Sequence, residues 1–387
     1  MSTAPTRARV LPLLVLLPAL GCETDGKNAS NEGDCTDVDG LQTCRYTTTT
    51  VSPGVASLDI NVNGSAGAFL VTAEARDGLY VSTEQALDPD GDAALHWEDW
   101  YYGDNHLTAG ILPLSSEMHL NWPVRDDDTQ LFSGTWTVDV AVIDYDGYYM
   151  KGEQVDIVTQ VKQDDNLNVG NVNARIVYVD GLDADAEVTA GTEAAVEVWR
   201  EIWGAYGLSL TVAYDTATDV SAALPSMTDG GPEIEAISLA GTDDDFTVVI
   251  GETVGGTYDI YGEAGGIPGT LVANDHSAVA ISWVTNAGGD GVFSDDDIRI
   301  YGETLAHEVG HYMGLFHPVD YDQRYVPYAW DALSDTDECG DLDSCDTALG
   351  DNNMYPFPVC PSFDNCTHQQ VLSADQTGVL HRHTGAL

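Results

Sequence analysis

The sequence predicts an all-β antiparallel sandwich domain over residues 46–165, followed by an α/β (α+β) domain over residues 172–387. Three observations carry this reading. Apolar and polar residues alternate with period two from about residue 46 to 165, with no helical spacing among them. A 3.6-residue apolar stripe first appears near Thr192. Continuous apolar runs of strand length accompany it, and strand, helix and buried strands in that order describe layered α/β architecture.

Arg7 and Arg9 precede a short apolar run, Val10 to Leu20, too short to span a bilayer. That is the pattern of a secretory signal over residues 1–21. The run ends Ala19-Leu20-Gly21-Cys22 and resembles a bacterial lipobox. The resemblance implies lipidation of Cys22 and a place at the bacterial outer membrane or cell surface. An ordinary cleaved signal, leaving the protein extracellular, is the alternative. Residues 22–45 are polar and rich in Gly, Asn and Asp, and read as a tether.

In GTWTVDVAVID (134–144), Trp136, Val138, Val140 and Val142 alternate with Thr135, Thr137, Asp139 and Ala141. QVDIVTQV (154–161) repeats the pattern and LDINVN (58–63) does so more briefly, while Asp88-Pro89-Asp90-Gly91-Asp92 and Asp146-Gly147 supply turns. Residues 164–171 read as a linker. NARIVYVDG (173–181) is then a strand, and a helix from Thr192 carries Val196, Trp199, Ile202, Trp203 and Tyr206 on one face. LSLTVAY (208–214), FTVVIG (246–251) and AVAISWV (278–284) complete the strands.

Charge removes whole classes of function. Thirteen Lys and Arg against 64 Asp and Glu give −51, so attraction to nucleic acid or anionic lipid is excluded as a binding principle. Two acidic runs, Asp88/Asp90/Asp92 and Asp335/Asp337/Asp341/Asp343, space oxygens closely enough to raise calcium as a second metal, against the plainer reading of solvated turns. Seven cysteines are an odd number for an exported chain; setting aside Cys22 leaves Cys35, Cys44, Cys339, Cys345, Cys360 and Cys366. Cys35 with Cys44 is the natural local bridge, and the last four can form two more.

The chemistry concentrates at 303–318, ETLAHEVGHYMGLFHP. His307 and His311, four residues apart, share one helix face and can present ring nitrogens to one ion. Gly314 lets the helix end in a sharp turn that returns His317 as a third ligand. Three imidazoles leave a coordination position open, as a catalytic zinc needs. Glu308 is next to the first ligand and within reach of a water there without being a ligand itself. His381 and His383 fall in a tail expected to be frayed and solvated.

HExxHxxGxxH at these positions resembles the metzincin clan of zinc metallopeptidases, over the region from about 172 onward. The resemblance implies a secreted zinc endopeptidase acting on peptides or proteins, with Glu308 as general base. It implies a methionine turn, for which Asp351-Asn352-Asn353-Met354-Tyr355-Pro356 supplies Met354, and an edge strand that pairs with substrate, for which SAVAISWVT (277–285) is the candidate. The insert with Asp335-Thr336, followed by CPSFDNC and LSADQTGVLHRH, resembles the pappalysin-like group. That analogy implies interleaved bridges, Cys339–Cys360 and Cys345–Cys366. Pro318 and the sequence Met-Tyr-Pro depart from that group, so Tyr355 is given no catalytic role. A non-catalytic surface lipoprotein binding glycan or protein through its sandwich is the rival reading; the intact Glu308 argues against it.

Overall fold

The computed structural model describes residues 33–76, 78–98, 116–360 and 366–387, so the leader and Cys22 lie outside it. The first described strands, β1 (Asp34–Val38) and β2 (Leu41–Thr49), form a hairpin through Asp39 and Gly40, both at positive φ as a two-residue primed turn demands. Cys35 and Cys44 sit opposite each other in its register and are bridged. The segment expected to be a tether as far as residue 45 is therefore part of a sheet from Asp34 onward. Its alternation is masked because its first strand is exposed throughout.

Seven strands follow: β3 (Val55–Val62), β4 (Ala68–Ala75), β5 (Tyr80–Leu87), β6 (Ala93–His96), β7 (Glu117–Trp122), β8 (Gly134–Ile143) and β9 (Gln154–Lys162). They complete a five-stranded antiparallel sheet, β1-β2-β9-β4-β7, and a four-stranded one, β3-β8-β5-β6. Period-two patterning does what it predicts on the inner faces. Ile60, Phe69, Trp136, Val138 and Ile157 from both sheets form one core.

The outer face of the five-stranded sheet departs from the pattern. Thr72, His119, Asn121, Gln160 and Lys162 are polar, yet all are buried, because the second half of the chain lies across them. Each is met by a partner. Lys162 Nζ donates to the His381 carbonyl at 2.9 Å, Gln160 to the Asp243 carbonyl at 2.8 Å, and His119 Nδ1 to the Pro268 carbonyl at 3.1 Å. The Thr72 and Thr270 hydroxyls are 2.7 Å apart. Buried polar groups without such partners would cost free energy, so the two faces fit as polar complements.

The second half begins with β10 (Gly170–Val179), α1 (Ala186–Gly204), β11 (Leu208–Ala217), β12 (Ala223–Leu224) and α2 (Pro232–Leu239). It continues with β13 (Asp245–Gly251), β14 (Thr253–Val254), β15 (Gly262–Ala264), β16 (Val279–Ser282), α3 (Trp283–Asn286) and α4 (Asp295–Tyr312). It closes with β17 (Val319–Tyr321), β18 (Pro327–Trp330), α5 (Leu342–Leu349) and α6 (Ala374–Arg382). A five-stranded sheet, β11-β10-β13-β16-β15, is parallel except for its last strand. Ile176 and Trp199 share one core with Leu305 of α4, while Val177 packs with Ile234 and Ile237 on the opposite face.

The structure departs from the sequence expectation at three places. Helix α1 starts ahead of Thr192, because the Asp185 carboxylate caps the amides of Glu187 and Val188; Thr192 is buried within it, 3.0 Å from the Tyr301 hydroxyl. His381 and His383 are not solvated. Helix α6 docks against the body, leaving them 1% and 0% exposed. The four C-terminal cysteines do not interleave. The bridges are Cys339–Cys345 and Cys360–Cys366. Asp341, two residues after Cys339, caps α5, and the first turn of that helix carries Cys345 back to Cys339 with Cα atoms 5.2 Å apart.

The buried histidines give stability an acid limb. Burial pushes His119 and His383 each down to about 3, below the ordinary value of 6.5. Unfolded chain binds those protons as pH falls below 6.5 while the fold refuses them until about 3, so stability is lost across that window. Burial pushes Glu117 up to about 8, which acts oppositely, removing stability as pH rises from 4.5 towards that value. Thermal unfolding midpoints should therefore fall from pH 6.5 to 4, and less steeply in His119→Gln. Equal slopes for the two proteins would refute the assignment.

Candidate metal centre

Helix α4 is specified at both ends. Ser294 and Asp297 form a capping box, and Asp295, Asp296 and Asp297 place negative charge at its N-terminus. At the other end Gly314 adopts φ 109°, its amide bonds the His311 carbonyl at 2.8 Å, and the Leu315 amide bonds the Gly310 carbonyl at 3.0 Å. That double closure needs a left-handed residue and turns the chain abruptly. The turn brings His317 back beside the helix.

The three imidazoles converge through one nitrogen each. His311 Nε2 and His317 Nε2 are 3.1 Å apart, and His317 Nε2 and His307 Nε2 are 3.3 Å apart. Each Nδ1 is directed to an oxygen: His307 to the Asn353 carbonyl at 2.7 Å, His311 to the Leu315 carbonyl at 2.6 Å, and His317 to Asp320 Oδ1 at 2.9 Å. Carbonyls only accept, so Nδ1 carries the proton in His307 and His311, and Asp320 favours the same tautomer in His317. Three Nε2 lone pairs then face one point. Burial, with His317 adding to it, pushes His307 down to about 3; burial and both neighbours push His311 well below its ordinary value. Neutral imidazoles are what a metal requires.

These residues fit zinc. Tetrahedral bonds of about 2.0–2.1 Å need nitrogens about 3.3 Å apart, which matches the spacing found. Among the described residues, His307, His311 and His317 are the one set of three or more His, Cys, Asp or Glu ligand atoms lying within 4.8 Å of one another. The calcium expectation is not met in the same way. Asp88 Oδ1 accepts the amides of Asp90 and Asp92, and Asp341 caps α5, so these carboxylates close their own turns.

Glu308 lies beside the histidines, buried, with its carboxylate accepting the Ala264 amide. Burial and then the Glu263 charge push it up to about 8, and the Ala264 bond pulls the other way. Its stem packs on Gly262, where a Cβ would fall 2.6 Å from Glu308 Cγ, so only glycine leaves room. Met354 is fully buried, with its sulfur against Gly310, the residue before His311. Tyr355 points elsewhere, bonding Asp346 and the Tyr321 hydroxyl, both at 2.6 Å.

The edge strand is corrected. Residues 277–285 contain β16, which lies inside the sheet between β13 and β15 before the chain turns into α3. The edge is β15. Ser282 bonds Tyr261 and Gly265 bonds Ala278, so the alternation turns the backbone groups of Gly262 and Ala264 away from β16 towards Glu308. Gly262, Ala264, Asn353 and Asp320 were not found from the sequence. For Asp320 alone a local signal existed, an acid three residues after the third histidine of the cluster.

No family model matches the chain, and no curated protein matches it. Among solved structures it is similar to an archaemetzincin from Methanopyrus kandleri, with 15% identity, TM-score 0.25, and 42% of this chain covering 83% of that one. It is also similar to metalloproteinase-II from Bacteroides fragilis, with 13% identity, TM-score 0.28, and 58% of this chain covering 62% of that one. Likeness at this level is loose, and the chemistry rests on the residues themselves.

Proposed function

We propose that this chain is an exported zinc-dependent endopeptidase. The observation that carries the proposal is the convergence of three Nε2 atoms whose partner Nδ1 atoms are all held by oxygens. When bound, zinc supplies Lewis acidity, which acidifies water and polarises a carbonyl. Glu308 takes the proton of the attacking water and returns it to the departing amine. The outer edge of β15, whose Ala264 amide Glu308 already holds, offers its carbonyls at Gly262 and Ala264 to an extended peptide by strand addition, laying the scissile bond beside Glu308.

Three disulfides among the described residues support an oxidising compartment, and no described helix is long and apolar enough to cross a membrane. Anchoring through lipidated Cys22 belongs to the same proposal. The test is digestion of a proteome-derived peptide library by the purified protein, with fragments read by mass spectrometry. Cleavage should stop on chelation and return with zinc; cleavage that survives chelation refutes zinc dependence. Detergent-phase partitioning that is unchanged in Cys22→Ser would refute the anchor.

A further inference from the structure

The strand that borders the proposed cleft is only three residues long and is paired on one side. So short an edge has few ladder bonds to hold it, and something else must fix its position. Glu263, its middle residue, supplies that attachment. Its carboxylate accepts Ser226 Oγ at 2.9 and 3.1 Å, the Met227 amide at 3.0 Å and the Thr228 amide at 3.3 Å. Two backbone amides and a hydroxyl converging on one ionised group make a strong, directional anchor.

The turn receiving Glu263 is itself fixed. Met227 is fully buried, and its carbonyl accepts His276 Nδ1 at 2.9 Å. The His276 amide in turn donates to Asn274 Oδ1 at 2.9 Å, and Asn274 Nδ2 lies 3.4 Å from His119 Nε2 in the amino-terminal sheet. A chain of hydrogen bonds from the amino-terminal sheet to the cleft border therefore runs through Glu263. Its chain neighbours, Gly262 and Ala264, carry the backbone groups turned to the cleft, and the Ala264 amide touches Glu308.

We infer that Glu263 is a positioning residue: by anchoring β15 to the Ser226–Thr228 turn it sets the edge against which an extended substrate pairs and Glu308 is aligned. The inference rests on the peptidase reading above for its functional half. Placement errors near 1 Å are enough to lose much of an oriented reaction, so the anchor acts on catalysis without touching substrate.

The test uses the full zinc-loaded protein carrying Glu263→Ala. Amide exchange over residues 261–266 should accelerate roughly tenfold or more, as expected for loss of charge-assisted bonds, with β10 and α4 unchanged. Zinc content should stay at the wild-type level. KM for a long peptide should rise roughly tenfold, while KM for a substrate too short to pair with the strand should not move. Glu263→Gln, which keeps one acceptor oxygen, should fall between. If Glu263→Ala does not fold, Ser226→Ala removes one donor and should give the same pattern in smaller measure. Wild-type exchange at 261–266, or an equal KM change for long and short substrates, overturns the inference. Accelerated exchange in a protein whose wild type cleaves no peptide leaves the anchor standing and sinks the peptidase reading instead.

Discussion

Glu308→Gln should leave zinc bound and the fold intact while peptide hydrolysis falls by a factor of about 10²–10⁴, the usual worth of a positioned general base. The structure says why the loss should be confined to chemistry. Glutamine matches the side chain in size, so packing over Gly262 persists, and its amide oxygen can still accept the Ala264 amide. The three Nδ1 anchors of the histidines involve other residues and are untouched. Zinc content by elemental analysis and turnover on a peptide found in the library digest decide the matter. A variant that holds zinc and cleaves at close to the wild-type rate would show that another group takes the proton.

His311→Ala should abolish zinc binding outright, and turnover with it. His311 stands at the centre of the cluster, with ring centroids 4.6 Å from both His307 and His317, and its Nδ1 is held inside the helix-ending turn. Two remaining imidazoles do not hold a catalytic zinc tightly. Because a metal that binds only the folded state stabilises it, added zinc should raise the unfolding temperature of wild type and leave the variant unmoved. Full zinc occupancy in His311→Ala would overturn the ligand set.

The convergence of the three histidines was legible because the pattern behind it is local. Five of its defining residues lie within His307 to His317, and their spacing follows from helix geometry and one glycine turn. The groups that orient them are mostly not local. Asn353 reaches His307 from 46 residues away, through a backbone carbonyl that no side-chain pattern reveals. The edge strand hid for another reason. Gly262–Ala264 is too short and glycine-flanked to alternate, whereas Val279–Ser282 is apolar because it is internal, and an apolar run marks a buried strand rather than an edge. The inner β faces were read correctly from period two. Thr72, His119 and Lys162 look like solvent-facing positions in that pattern, and only the polar surface laid across them makes them interior.

That last interface decides what can be cut away. A fragment beginning near residue 172 would carry the histidines and Glu308, and would look from its motif like a complete enzyme. It would also strip the cover from the carbonyls of Asp243, Pro268 and His381 and from the threonine at 270. Pro268 lies between the edge strand and Thr270, whose carbonyl is bonded by the hydroxyl of Tyr312 at the end of the helix that carries His307 and His311. Excision at the linker would thus loosen the proposed cleft from behind while leaving the three histidines and Glu308 in the chain. A shortened protein meant to keep the histidine cluster in its native setting is better begun ahead of Asp34, where the first strand of the supporting sheet enters.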